Sequence, residues 1–282
     1  MRKILSSVFL GASLMMTPQL ASACGTPDDA CDVATGFYHV ELPKVADGPV
    51  PAVLFLHGYG GSGAGVLKMR GMVEDLKARG YAVIAPTAER RGGTGKRSWV
   101  FYPGWEGRDE NQFLQAVVQD AALKHDIDAD RVILSGFSAG GFMVNYLACD
   151  DPGAFPAYAP VSGGFWNPMP ESCKGPIRML HTHGWTDGVV PLEGRILGGG
   201  RFEQGDIFAG LEIWRRANAC QGHKPEQMRN SGDFLRRVWQ SACAPGSYLE
   251  LALFPGGHKV PKGWADMVVD WFETHGLSRQ DG

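Results

Sequence analysis

The chain has 282 residues, of which 44% are apolar and 20% charged, with a formal net charge of -3. This profile is that of a globular protein able to bury a large core. It gives no support to a nucleic-acid partner, which would call for a concentrated basic face.

The first 23 residues, "MRKILSSVFLGASLMMTPQLASA", begin with Arg2 and Lys3, continue apolar from Ile4 to Met16, and end on Ala21 and Ala23 two apart. That is the pattern of an export signal with a small-residue cleavage site, so residues 1-23 are set apart from fold reasoning. The apolar stretch is shorter than the roughly 20 residues a bilayer span needs, and no later segment reaches that length. A soluble, exported (periplasmic or extracellular) chain is therefore expected, with no membrane span. Cys24 directly after the cleavage point raises a lipid anchor; Ala21, where such signals usually carry Leu, argues against it.

The remaining residues, 24-282, contain no repeat, linker or charge block that would divide them, and are expected to form one domain and a monomer. Strands are predicted in chain order at 37-42, 51-57, 81-86, 131-136, 157-163, 177-183 and 248-254, each an apolar run bounded by turn residues. Between them lie segments of helical period. "ENQFLQAVVQDAALKH" sets Phe113, Val117, Ala121 and Leu123 near one stripe, and "AGGFMVNYLAC", "DIFAGLEIWRRA" and "GWADMVVDWFETH" read similarly. Apolar strands alternating with helices predict an α/β fold: a mostly parallel central sheet with helices on both faces. Ligands bind such sheets beyond the carboxyl ends of the strands.

All six cysteines, Cys24, Cys31, Cys149, Cys173, Cys220 and Cys243, lie after the signal. An even count in an oxidising compartment reads as disulfides, although six cysteines allow 15 connectivities. Local pairing, Cys24 with Cys31, Cys149 with Cys173 and Cys220 with Cys243, is the expectation. None has the spacing of a redox or zinc site.

Chemistry is expected at four strand ends. In "RVILSGFSAGG", Gly136, Ser138 and Gly140 form G-x-S-x-G between a strand and a helix. The motif alone is weak, but a nucleophile on a tight strand-to-helix turn needs neighbours with little or no side chain. A serine hydroxyl further needs a base to take its proton and an acid to orient that base. Asp187 follows the strand at 177-183 and His258 the strand at 248-254, in the chain order Ser, acid, His. His181 and His183 share a strand face, yet without another ligand at metal spacing they make a weak site, so no metal is expected; His183 is read as ordering the Asp187 loop. His223 and His275 read as surface residues, and Asp206 and Asp233 as acids with no preceding strand. The glycine-rich "LFLHGYGGSG" supplies backbone amides after an early strand, which assigns an oxyanion hole to the N-H groups of Tyr59 and Ala139. It lacks the G-K-[ST] ending of a phosphate loop. Trp105, Trp166 and Trp185 fall in loops on the same side and are candidates for a substrate-binding wall, with loop packing as the alternative.

Taken together, "HGYGG", "DADRVILSGFSAGG", "HGWTDGVVP" and "PGGHKVP" resemble the α/β-hydrolase fold, and within it the secreted esterases that group polyhydroxybutyrate depolymerases with feruloyl and acetylxylan esterases. The likeness runs from about residue 37 to 275. It implies a serine esterase acting on a small ester or on an oligomeric polyester or plant-wall ester, with Ser138 as nucleophile, Asp187 as acid, His258 as base, no cofactor and no large lid. Two features depart from the pattern. Lys259 and Val260 follow His258 where relatives often carry Trp, and dedicated extracellular polymer depolymerases tend to carry a linker and a separate polymer-binding domain, which is not expected here. A peptidase of the same fold, or a catalytically silent carbohydrate or polyester binder, are the alternatives.

Overall fold

The structure, a computed structural model, describes residues 24, 29-44, 48-93 and 95-276. The export signal read at 1-23 lies outside them.

The first strands are β1 (Cys31–Val33), β2 (Gly36–Glu41) and β3 (Val50–Leu56), followed by helices α1 (Gly63–Leu67) and α2 (Arg70–Ala78). After β4 (Ala82–Pro86) come α3 (Glu110–His125), β5 (Ile127–Phe137), α4 (Ala139–Asp150), β6 (Ala157–Val161), β7 (Trp166–Asn167) and β8 (Arg178–Gly184). The last part holds β9 (Arg195–Leu197), β10 (Phe202–Gln204), α5 (Ile207–Ala217), β11 (Gln227–Ser231), β12 (Phe234–Trp239), β13 (Tyr248–Phe254) and α6 (Trp264–Trp271), which runs into a π-helical turn at Phe272–Gly276.

Ten strands form one sheet in the order β1-β2-β4-β3-β5-β6-β8-β13-β12-β11. From β4 to β13 neighbouring strands are parallel, and an antiparallel pair closes each edge. The wholly apolar strands are explained by two-sided burial. In β3, Ala52, Leu54 and Leu56 enter a core shared with Phe113, Val117 and Met143 of α3 and α4. Val53 and Phe55 of the same strand enter a second core with Val66, Leu76 and Trp264 under α1, α2 and α6. Chain order reverses about β3: the chain steps out to β4, then returns to β5 on the other flank. The ends of β3 and β5 therefore meet at a switch point, where an open α/β sheet leaves a crevice.

Several sequence expectations are corrected. Leu123 leaves the α3 stripe and is 88% exposed, because the buried row Phe113, Val117, Ala121 advances by four residues. Asp233 does follow a strand: it sits in the turn between β11 and β12, an edge hairpin whose outer strand is exposed and polar. His275 is part-buried, stacked on Tyr248 with ring centroids 4.2 Å apart. Trp166 is not in a loop but in β7, which joins β10 and β9 in a small second sheet. Asp206 also follows a strand, β10, and caps α5, its side chain accepting from Ala209 N at 2.8 Å.

The structure joins Cys24 to Cys31, Cys149 to Cys173 and Cys220 to Cys243. Cys149–Cys173 closes a loop with a sequence separation of 24 and ties the C-terminal end of α4 to the approach to β8. Replacing both by serine is expected to lower stability by about 3 kcal/mol, since the unfolded chain regains loop entropy. Urea unfolding of the variant against the parent measures this.

Candidate active site

Ser138 stands between β5 and α4 with φ 57° and ψ -116°, a left-handed conformation that costs a non-glycine residue about 1-3 kcal/mol. The turn is held from both sides: Ser138 N donates to Val161 O at 3.0 Å and Phe142 N donates to Ser138 O at 2.9 Å. Such tightness dictates the glycines. A Cβ on Gly136 would lie 2.6 Å from the Gly140 carbonyl carbon, and one on Gly140 would strike the Leu56 carbonyl. A serine preceding a helix ordinarily caps it with its hydroxyl, yet Ser138 makes no side-chain cap bond. Oγ is thus left for other chemistry, and the first-turn amides of α4 remain available to a bound anion.

The loop after β3 packs directly on this turn: a Cβ on Gly58 would sit 3.4 Å from Ser138 Cβ. Gly60 N donates to Arg97 O at 2.8 Å and Gly61 N to Gly58 O at 3.0 Å. Among the described residues, neither the Tyr59 nor the Ala139 amide has a backbone acceptor. His57, which sequence reasoning left without a role, fixes this loop. Ala88 N-H donates to His57 Nε2 at 3.0 Å, so the ring proton is on Nδ1 and is donated to Gly58 O at 2.7 Å. Burial lowers this imidazole to about 4. The folded protein therefore leaves His57 neutral down to about pH 4, while the unfolded chain protonates it below about pH 6.5. Its contribution is present in full above pH 6.5 and is lost as pH falls towards 4, by roughly 3 kcal/mol. Urea midpoints measured at pH 7 and pH 4.5 are expected to differ less in His57→Gln than in the parent.

Asp187 lies in the loop after β8 and is buried. Its Oδ1 accepts from Val189 N at 2.9 Å and Val190 N at 2.8 Å, and its Oδ2 from His258 Nδ1 at 2.8 Å. Burial pushes this carboxyl up, but the His258 bond and the two amides prevail and hold it at about 2. His183, on β8, braces the same loop: its Nε2-H donates to Val190 O at 2.8 Å, and its Nδ1 faces His181 Nε2 at 3.1 Å. Both histidines are buried and burial lowers both, which suits neutral, hydrogen-bonded rings. His258 follows β13, and its ring packs at a tilt of 40° against Phe137, the residue before Ser138, with centroids 4.5 Å apart. Neighbouring parallel strands thus deliver Asp187 and His258 to the end of the sheet where β5 delivers Ser138.

Among the tryptophans, Trp185 stands 52% exposed two residues before Asp187, with Tyr59 58% exposed on the opposite loop. Trp105 and Trp166 pack together, ring centroids 5.6 Å apart, in a cluster with Phe101, Tyr102 and Phe202. Sequence periodicity carried no sign of that cluster, because its members come from separate loops and short strands. A cavity of about 620 Å³ beside it is lined by Phe101, Met143, Tyr146 and Asp151 but by none of Ser138, Asp187 and His258. Among the described residues, one group has metal-ligand types in reach, Cys24, Cys31 and His125, and its two sulfurs are joined to each other.

This sheet order and these strand-end loops define an α/β-hydrolase, and the family match makes it one that acts on ester bonds. The sequence profile of the phospholipase/carboxylesterase family matches residues 39-197, and the chain belongs to that family. A "Probable feruloyl esterase C" of Aspergillus terreus is 25% identical over 271 residues, covering 91% of this chain and 90% of that protein. A poly(3-hydroxyoctanoate) depolymerase of Pseudomonas fluorescens is 29% identical over 172 residues, 54% of this chain and 57% of its own. Among solved structures, the acetyl xylan esterase of Aspergillus awamori superposes with a TM-score of 0.60 at 17% identity, over 84% of this chain and 93% of that one, a likeness of fold.

Proposed function

We propose that residues 24-282 form a single exported catalytic domain that hydrolyses carboxylic esters through an acyl-enzyme. Ser138 Oγ attacks the ester carbonyl, His258 takes the hydroxyl proton and returns it to the leaving alcohol, and Asp187 keeps the imidazole in the productive tautomer. The Tyr59 and Ala139 amides hold the oxygen that becomes negative. Water then repeats the sequence and releases the acid. The observation that carries this reading is the 2.8 Å bond from His258 Nδ1 to Asp187 Oδ2, with the same ring packed against Phe137, the residue before the strained Ser138. Three disulfides suit an oxidising compartment, and among the described residues no helix is long and apolar enough to cross a membrane. Tyr59, next to the Gly58 that packs on the Ser138 turn, and Trp185, two residues before Asp187, both expose aromatic surface, which favours bulky feruloyl or hydroxyalkanoate esters over acetyl groups.

The test uses the purified chain from Cys24 with a fluorophosphonate probe and a panel of nitrophenyl esters, methyl ferulate and hydroxybutyrate oligomers. Labelling confined to Ser138 and cleavage of the bulky esters are expected. A folded protein that neither labels nor cleaves any ester rejects the proposal.

A further inference from the structure

Two imidazoles stand where the fold asks for apolar side chains. His181 and His183 lie on β8 in one row with Met179, beside Leu251 and Leu253 of neighbouring β13, and these three apolar residues belong to the core shared with α3 and α4. A leucine or methionine would pack there with no polar atom to satisfy, whereas a buried imidazole costs stability unless its nitrogens are bonded. His181 is 2% exposed and His183 0%. Burial lowers both, so the pair is neutral.

Their protons are placed by elimination. Val190 O can only accept, so His183 carries its hydrogen on Nε2 and donates it at 2.8 Å. Nδ1 of the same ring is then a bare acceptor, and the His181 Nε2 that faces it at 3.1 Å is the donor. The bonds continue beyond Val190: its N-H donates to Asp187 Oδ1 at 2.8 Å, and Asp187 Oδ2 accepts from His258 Nδ1 at 2.8 Å. His183 does not bond the carboxylate itself, since its Nε2 stands 3.8 Å from Asp187 Oδ2. In the other tautomer, a lone pair on His183 Nε2 would oppose the Val190 carbonyl and the loop would lose its brace. A donor facing Nδ1 excludes that tautomer.

Resting on the esterase reading, we propose that His181 is a positioning residue of this reaction: by donating to His183 Nδ1 it fixes the ring that holds Val190 and, through Val190, the Asp187 carboxylate at His258. The effect is indirect and belongs to the chemical step. Substrate binding does not depend on it.

The test replaces His181 by leucine, which suits the apolar face but cannot donate, and by glutamine, whose amide can. His181→Leu is expected to lower kcat on a nitrophenyl ester about 10-fold, within the range that a small misplacement far from the chemistry costs, with KM changed less than about 2-fold. His181→Gln should recover most of that loss. Because the effect passes through His183, adding His181→Leu to His183→Ala should lower kcat by less than about 2-fold further. Circular dichroism confirms the fold of each variant. Nitrogen-15 NMR of the parent needs no variant, and should show both rings protonated on Nε2 and His183 Nδ1 bare. A folded His181→Leu protein with parental kcat, a glutamine variant no better than the leucine one, additive losses in the double variant, or a proton on His183 Nδ1 overturns the inference and leaves the esterase reading standing. A folded parent that cleaves no ester removes both.

Discussion

Ser138→Ala is expected to lower kcat by about 10⁴- to 10⁶-fold on any ester the parent cleaves, and His258→Ala by a similar factor. Ser138 Oγ caps nothing, so its removal leaves no buried donor unpaired, and alanine meets the same backbone demand at φ 57°. Thermal unfolding of Ser138→Ala should therefore match the parent closely, which separates lost chemistry from lost structure. The two residues act on one proton, so the double variant should be little worse than either single one. Burst and steady-state kinetics with a nitrophenyl ester measure all of these. A Ser138→Ala protein with near-parental turnover would place the nucleophile elsewhere.

Asp187→Asn is expected to cost about 10⁴-fold in kcat while leaving substrate binding largely intact. The carboxylate accepts three hydrogen bonds, from His258 Nδ1 and from the amides of Val189 and Val190. An asparagine that turns its oxygen to the two amides presents its NH₂ to His258 Nδ1, which favours the tautomer with its proton on Nε2. That nitrogen can then no longer take the serine proton. Because the native carboxyl is held at about 2, its ionised form persists down to that pH. The stability it lends is present above the ordinary aspartate value of 3.8 and is lost only as pH falls from there towards 2. Acid titration of unfolding should thus show a step between pH 4 and 2 in the parent that Asp187→Asn lacks. Equal steps in both proteins would contradict this account of the loop.

The sequence made the inner strands visible because burial on both faces leaves them almost wholly apolar, and α3 is found at the residues its period predicted, 110-125. The edge hairpin β11-β12 escaped notice because an edge strand may keep polar side chains, and β11 is exposed along its length. Helices α1 and α2 escaped too, being short, rich in glycine and polar residues, and packed by one stripe each. At the site, Ser138, Asp187 and His258 were legible as residue types at the ends of apolar strands. His57 and Phe137 were not, since each acts by touching a residue far along the chain.

By itself the sequence determined the class of fold, the glycine-flanked serine turn and the order of its candidate partners, because these follow from local period and from which side chains a tight turn tolerates. Only the tertiary structure decided that β3 and β5 end side by side and that β8 and β13 bring Asp187 within 2.8 Å of His258. Each of these is a meeting of segments distant in the chain, and strand order and packing bring them together where local propensity cannot.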